Sequence, residues 1–160
     1  MTQDEALSLF SYRDGSLYWR KAPGFHRSLD GTLAGTISKR GYVHIQYKRK
    51  LYKAHQIVWL MFHGRIPALI DHINGLLTDN RLGNLRIATT VQNQQNARIR
   101  TDNSSGVKNV CWHKQHKWAV ELSVNKKIKR LGYFEDLELA DLVAIEARNK
   151  YHGDFANHGY

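Results

Sequence analysis

Side chains able to hydrolyse a phosphodiester are concentrated in a short central segment of the chain. Asp71 and His72 are adjacent, and the amides of Asn84 and Asn93 follow soon after. Hydrolysis requires a base that deprotonates water, a cation that offsets charge on the phosphoryl oxygens, and stabilisation of the departing 3′ oxygen. A neutral imidazole suits the first task near pH 7, and one divalent metal ion suits the other two. The residue types therefore predict a metal-dependent nuclease.

The donor atoms in this segment favour some roles over others. Oxygens from Asp71 and Asn93 suit magnesium or manganese better than zinc. Asn84 is predicted to bond loop backbone groups so that His72 is aimed correctly, and Asn80 could do the same. Adjacent residues in a strand point to opposite faces, so a twist or a bulge must bring Asp71 and His72 to one site. Ordinary turns and caps also use these residue types, and that explanation stays open.

The composition narrows the choice of partner and compartment. The 160 residues carry a formal net charge of +10, which predicts a polyanionic partner, although a basic solvated surface is the alternative. Cys111 is the single cysteine, so an intrachain disulfide and a cysteine-cluster zinc site are both excluded. No long apolar run or signal-peptide pattern is present, which predicts no membrane partner and a cytoplasmic protein, in the host cytoplasm if it is phage-encoded.

Turn signals and hydrophobic periodicity predict an α+β chain of four segments. Residues 1–54 form a β-rich N-terminal region, residues 55–100 a catalytic core, residues 101–106 a polar linker, and residues 107–160 a DNA-binding module. The predicted strands cover residues 42–47, 70–73, 110–112, 117–124 and 129–134, with a hairpin turn at 48–50. The predicted helices cover residues 55–63 (ended by Gly64), 91–98 (capped by Thr89 or Thr90) and 137–151 (with Ala140, Ala144 and Ala147 on one face).

The central segment resembles the HNH endonucleases, which have a ββα-metal fold, and in particular their phage and intron homing type. The runs that carry this resemblance are 55–59 (His-Gln-Ile-Val-Trp), 70–75 (Ile-Asp-His-Ile-Asn-Gly), 79–86 (Asp-Asn-Arg-Leu-Gly-Asn-Leu-Arg) and 92–96 (Gln-Asn-Gln-Gln-Asn).

The HNH resemblance implies roles for four residues. His72 is the general base, Asn84 is the structural asparagine of the catalytic motif, and Asp71 and Asn93 are the metal ligands. The third position of the motif is histidine in many members and Asn93 here, as in the homing branch. This difference favours one magnesium or manganese ion. His55 matches a recurrent histidine, expected to be structural or to contact a phosphate.

The C-terminal segment resembles the Apetala/ethylene-response-factor DNA-binding domain of plants. The resemblance lies in residues 106–112, 117–122 and 129–134, followed by an alanine-rich helix. It implies a three-stranded antiparallel sheet, backed by one helix, that enters the major groove of DNA. Cys111 and His113 replace two arginine-type contacts of the plant proteins, so their base preference does not carry over.

The charge pattern of this segment supports the same prediction independently. Residues 107–134 contain seven basic residues against one acid, Glu121, whereas the helix start is acidic. This asymmetry predicts a sheet that faces DNA and a helix that faces solvent. Trp118 is slightly more consistent with a core position than with a DNA contact. The predicted DNA-binding residues are Lys108, Trp112, Lys114, Lys117, Lys127, Lys129 and Arg130.

The sequence thus predicts an endonuclease acting on double-stranded DNA, of the phage homing type, with no small-molecule cofactor. One active site should nick one strand, and a double-strand break would need a second copy, so a homodimer stays open. The alternative is a non-catalytic DNA-binding regulator on a nuclease-like scaffold. An RNA partner is disfavoured, because the deep, narrow major groove of A-form RNA does not admit side chains.

Overall fold

A computed structural model describes residues 1–24, 27–114 and 116–159 of the chain. Antiparallel sheets and helices both occur throughout these residues, which confirms the α+β class. The chain forms two compact units, residues 1–88 and residues 89–160. The elements of the first unit are α1 (Gln3–Leu9), β1 (Phe10–Arg13), β2 (Ser16–Trp19), β3 (Thr36–Ile37), β4 (Val43–Tyr47), β5 (Lys50–Lys53), α2 (Ala54–His63), β6 (Ile70–His72) and β7 (Leu85–Ile87). Those of the second are α3 (Thr90–Gln95), β8 (Val110–His113), β9 (Lys117–Val124), β10 (Lys127–Phe134) and α4 (Leu137–His152).

The first unit is built from three small antiparallel sheets around α2. Strands β1 and β2 form a hairpin, β3, β4 and β5 form a three-stranded sheet, and β6 pairs with β7. The hairpin turn predicted at 48–50 is present, because Lys48 and Arg49 both adopt positive φ angles, as a tight hairpin turn requires. Helix α2 ends at Gly64, with φ of 72°, as the sequence predicts.

One hydrophobic core holds this unit together. Phe10 and Ile45 from the β-rich region pack in the same cluster as Ile57 and Val58 from α2. These four side chains are at most 1% exposed, so they are removed from water almost completely. A single core therefore spans the predicted boundary at residue 54.

The second unit is a three-stranded sheet, ordered β10-β9-β8, with α4 packed against it. Ala140, Ala144 and Ala147 are all buried, which confirms that their small side chains let the helix lie close to the sheet. Asp136 caps α4 by accepting hydrogen bonds from the backbone amides of Glu138 and Leu139. The boundary between the two units falls after Ala88, whereas the predicted linker, residues 101–106, lies within the second unit.

Helix α3 begins where the sequence predicts and ends earlier. The Thr89 hydroxyl accepts from the Gln92 amide, and the Gln92 side chain accepts from the Thr89 amide. The helix ends at Gln95 and not at residue 98. The Lys108 ammonium donates to the backbone carbonyls of Gln95 and Ala97, and thereby satisfies groups that a longer helix would have bonded internally. No helix among the described residues could cross a membrane.

Candidate active site

The β6–β7 hairpin positions Asp71 and His72, the predicted metal ligand and general base. The pairing is regular, with Asp71 opposite Arg86 and His72 opposite Leu85. Strand β6 therefore contains no bulge that would bring the two side chains together. Asp71 and His72 are both buried, and because strand alternation directs neighbouring side chains to opposite faces, strand twist is the remaining means of bringing both to one site.

Asp71 is held by the arginine opposite it in the hairpin. The Arg86 Nε donates to the Asp71 Oδ2 at 2.8 Å, and both side chains are largely removed from solvent. The guanidinium offsets the carboxylate charge and fixes its direction, as expected for an arginine–carboxylate pair. The sequence shows no local signal for this partner, because it depends on the register of the two strands.

His72 is hydrogen-bonded and surrounded by protein. Its Nε2 lies 3.1 Å from the Asn80 Oδ1, and the residue is only 2% exposed. Burial lowers the pKa of His72, while the bond to Asn80 and the charges of Asp71 and Asp79 act in the opposite direction with smaller effect. The imidazole is therefore neutral at pH 7, which is the form that accepts a proton.

Aromatic rings from the first unit enclose the His72 imidazole. The His55 ring stands perpendicular to it at a centroid distance of 4.9 Å, and Tyr42 lies 6.3 Å from it. Tyr42 also carries the Lys53 ammonium over its face at 4.2 Å and stacks with His44 at 6.5 Å. These neighbours come from β4, β5, α2 and the residue before β4. No sequence signal places these residues in the site, apart from the structural or phosphate role predicted for His55.

The neutral state of His55 should make stability depend on pH. Burial, followed by the charge of His72, lowers its pKa from 6.5 to about 3. The unfolded chain therefore binds a proton below pH 6.5 that the folded chain does not, and the free energy of unfolding falls as pH is lowered. From pH 7 to pH 5 we expect the wild type to lose roughly 2 kcal/mol more than His55→Phe. Urea unfolding at both pH values measures this difference, and equal losses would contradict it.

The loop between β6 and β7 is held together by Asn84. Its Oδ1 accepts from the Asn74 amide at 3.0 Å, and its Nδ2 donates to the Asn74 Oδ1 and to the Asp79 carbonyl. Asp79 in turn receives two hydrogen bonds from the Arg81 guanidinium, which holds the pKa of that carboxyl well below its usual range. Asn84 thus makes loop contacts of the predicted kind, while its place in the catalytic set stays a prediction.

Asn93 lies on α3 and belongs to the second unit. It is partly exposed, and its backbone amide donates to the Thr89 carbonyl at 2.9 Å. Its role as a metal ligand beside Asp71 stays a prediction. Among the described residues, no group of three or more His, Cys, Asp or Glu side chains is placed to hold a metal ion.

One face of the C-terminal sheet points away from α4 and is called the open face. It carries two of the predicted DNA-binding residues. Arg130 is paired with Glu121, and its Nη1 donates to the Tyr133 hydroxyl at 2.8 Å. Lys117 lies opposite His113 on the same face and contacts Glu135 at 3.4 Å. Arg130 and Tyr133 are both exposed on this face, in keeping with a nucleic-acid contact.

The other predicted DNA-binding residues lie elsewhere in the second unit. Lys129 faces the helix side and donates to the Tyr151 hydroxyl, and Trp112 packs edge-on against Trp118 at 4.6 Å. Trp118 packs against the core of this unit, as the sequence favours. Lys108 is partly buried, and burial lowers its pKa to about 8. Lys114 lies in the β8–β9 turn, and Lys127 follows the β9–β10 turn.

Comparison with known proteins shows which family the chain belongs to. A sequence profile of the HNH endonuclease family matches residues 52–95. Over 116 residues the chain is 33% identical to Protein 3.8 of Escherichia phage T7, an alignment that covers 68% of this chain and 93% of the phage protein. The chain belongs to the Protein 3.8 family. No solved structure matches it significantly.

In this member of the Protein 3.8 family, the segment that matches the HNH profile includes every residue of the predicted catalytic and metal sets. Asp71, His72, Asn84 and Asn93 all lie inside the matched segment, and so do His55 and Asn80. The match ends before the C-terminal sheet. The Apetala-type resemblance of that sheet is not supported by these comparisons and stays a proposal.

Proposed function

We propose that this protein is a metal-dependent DNA endonuclease of the homing type, which hydrolyses phosphodiester bonds with His72 as general base. The observation that carries the proposal is the state of His72. It is a buried imidazole, neutral at pH 7 and oriented by a hydrogen bond, and it lies inside the segment that matches the HNH endonucleases. Such a group can take a proton from water at the pH of the cell.

The residues proposed to hold the metal fit a hard divalent cation. Asp71 offers a carboxylate whose direction is fixed by Arg86, and Asn93 offers an amide oxygen. Oxygen donors of this kind suit magnesium or manganese. When bound, the ion would offset charge on the phosphoryl group and on the departing oxygen. The chain itself supplies the base, its orientation, and the exclusion of bulk water by the surrounding rings.

The proposed DNA-binding surface is the open face of the C-terminal sheet. Lys117 and Arg130 supply positive charge there, and the rings of His113 and Tyr133 lie with their centroids 4.6 Å apart. Positive side chains on a sheet can neutralise backbone phosphates, and rings can pack on sugars. The proposed substrate is double-stranded DNA, and a second copy would be required to cut both strands.

A plasmid assay tests the metal dependence. With magnesium or manganese, the purified protein should convert supercoiled plasmid to the nicked form, and excess EDTA should stop conversion because the charge on the phosphoryl oxygens is no longer offset. Adding back the metal should restore the rate. Failure to convert plasmid with either metal, while DNA binding persists, would overturn the enzymatic proposal and favour the regulator.

A further inference from the structure

We propose that a cavity in the second unit binds a nucleotide, with the amino group of its base at Asn109 and His152 and its phosphate at Arg98. The cavity is lined by the end of α3, by the segment that follows it and by β9, and its lining residues all lie within residues 89–160. This second site shares no residue with the β6–β7 hairpin, and binding there does not require that the protein cleave DNA.

The cavity is large enough for a nucleotide. Its outer part has a volume of about 610 Å³, within the range of roughly 300–1,000 Å³ that small-molecule sites span. An inner part of about 100 Å³ adjoins it, because Lys108, Asn109 and Ser123 line both, and this part reaches His152 at the end of α4. A base can therefore occupy one end of the cavity while the sugar and phosphate occupy the other.

The inner part is lined by two residues whose side chains carry buried atoms without a partner among the described residues. One is the Asn109 Oδ1, an amide oxygen that can only accept. The other is the His152 Nδ1. The second ring nitrogen of His152, Nε2, lies 3.4 Å from the Ser123 carbonyl and can only donate to it. Burial lowers the pKa of His152, so the ring is neutral at pH 7 and its Nδ1 is an acceptor.

Two acceptors in so small a space favour a ligand edge made of donors. Adenine and cytosine carry an exocyclic amino group, whereas thymine presents a carbonyl oxygen in its place. A carbonyl oxygen opposite Asn109 and His152 would leave acceptors facing acceptors, and the cost of burying them would not be offset. The site should therefore select bases with an amino group and reject thymine.

Positive charge at the outer part suits a phosphate. Arg98 and Lys108 line this part, while the charge of Arg100 is offset by Asp102 at 2.7 Å. The Lys108 ammonium donates to two backbone carbonyls, and an ammonium has a third N–H to offer. Arg98 is exposed, so its guanidinium can reach a phosphate and donate two parallel hydrogen bonds to it.

Calorimetric titration of the full chain in EDTA tests the site without metal and without cleavage. We expect deoxycytidine monophosphate (dCMP) to bind at least about tenfold more tightly than the thymidine nucleotide dTMP, since dTMP leaves the acceptors unpaired. Deoxycytidine, which lacks the phosphate, should bind more weakly than dCMP. Equal affinities for dCMP and dTMP, or no binding of either at millimolar concentration, would overturn the proposal.

The same chemistry occurs in a free nucleotide and in an unpaired base of nucleic acid. A short single-stranded thymidine oligonucleotide, with and without one cytosine, distinguishes these sources in the same titration. Tighter binding of the cytosine-bearing strand than of dCMP identifies the base of a nucleic acid as the ligand. A preference for cytosine that is confined to dCMP identifies a free nucleotide.

A glycine variant isolates the contribution of the amide oxygen. Asn109 has a φ of 69°, which glycine adopts freely, so Asn109→Gly removes the side chain without straining the backbone. This variant should bind dCMP about tenfold more weakly and lose the preference over dTMP. Asn125→Gly is the matched control, because Asn125 has a φ of 51° in the β9–β10 turn and does not line the cavity. It should bind both nucleotides as the wild type does.

Arg98→Gln tests the phosphate end separately, and should lower the affinity for dCMP to about that for deoxycytidine. Full preference for dCMP in Asn109→Gly, or an equal loss of preference in Asn125→Gly, would overturn the assignment of the base contact. An unchanged affinity of Arg98→Gln for dCMP would overturn the assignment of the phosphate contact.

Discussion

Replacing His72 with alanine is expected to lower the DNA cleavage rate by about a thousandfold, within the range lost when a general base is removed. The physical reason is that the neutral, oriented imidazole has no substitute in its immediate surroundings. Its nearest ring, His55, has a pKa lowered to about 3 and is correspondingly a weak base. Rates of plasmid nicking at saturating magnesium measure the effect, and filter binding to the same DNA should show an affinity within about twofold of the wild type.

Two further variants make this prediction specific. His72 is buried, so alanine also removes packing, whereas His72→Gln retains much of the side-chain volume and should be equally inactive. His63 is the matched control, since its ring stacks on Trp59 at 4.2 Å at the end of α2. His63→Ala should leave the cleavage rate near that of the wild type. Cleavage by His72→Gln within tenfold of the wild-type rate would show that another group acts as the base.

Elements with strong local signals could be predicted from the sequence. Helix α2 ends at Gly64 because a left-handed residue terminates a helix, and β9 covers residues 117–124 as its pattern indicates. The Lys48–Arg49 turn and the buried alanine face of α4 are likewise encoded within a few residues. In these cases the information that decides the structure is local, so periodicity and caps are sufficient.

The surroundings of His72 could not be predicted, because they depend on tertiary contacts. Tyr42 and His55 lie far from it in sequence, and only the packing of α2 and the strands brings their rings together. The Asp71–Arg86 pair depends on strand register in the same way. The sequence therefore predicts candidate reacting groups, and the groups that surround and orient them become visible only in the fold.

The predicted DNA-binding residues show that charge alone does not decide which side chains share a face. Seven basic or aromatic residues were predicted, and strand alternation places Lys117 and Arg130 on the open face. Lys129 is turned toward α4, and Lys108 bonds backbone carbonyls at the end of α3. Sequence composition reports the total charge of a segment, whereas the register of a sheet determines which charges share a face.

Replacing Arg148 is expected to cause a large loss of stability in the second unit, residues 89–160. Its side chain is fully buried, donates from Nη1 to the Lys108 carbonyl and from Nε to the His158 Nδ1, and lies 3.6 Å from Asp141. Arg148→Ala removes these contacts and leaves a cavity, so we expect the free energy of unfolding of this unit to fall by about 3–5 kcal/mol. Urea unfolding followed by amide hydrogen exchange at Val120 and Leu122, two buried residues of β9, measures it.

The control for the Arg148 prediction is Arg100, an arginine in an exposed ion pair. Arg100 and Asp102 form an ion pair on the surface, with side chains 83% and 65% exposed, and Arg100→Ala should cause no measurable change. Arg148→Met keeps much of the aliphatic volume and should fall between alanine and the wild type, because the packing is partly retained and the polar contacts are lost. If Arg148→Ala were as stable as Arg100→Ala, the buried guanidinium would not hold α4 to the Lys108 segment.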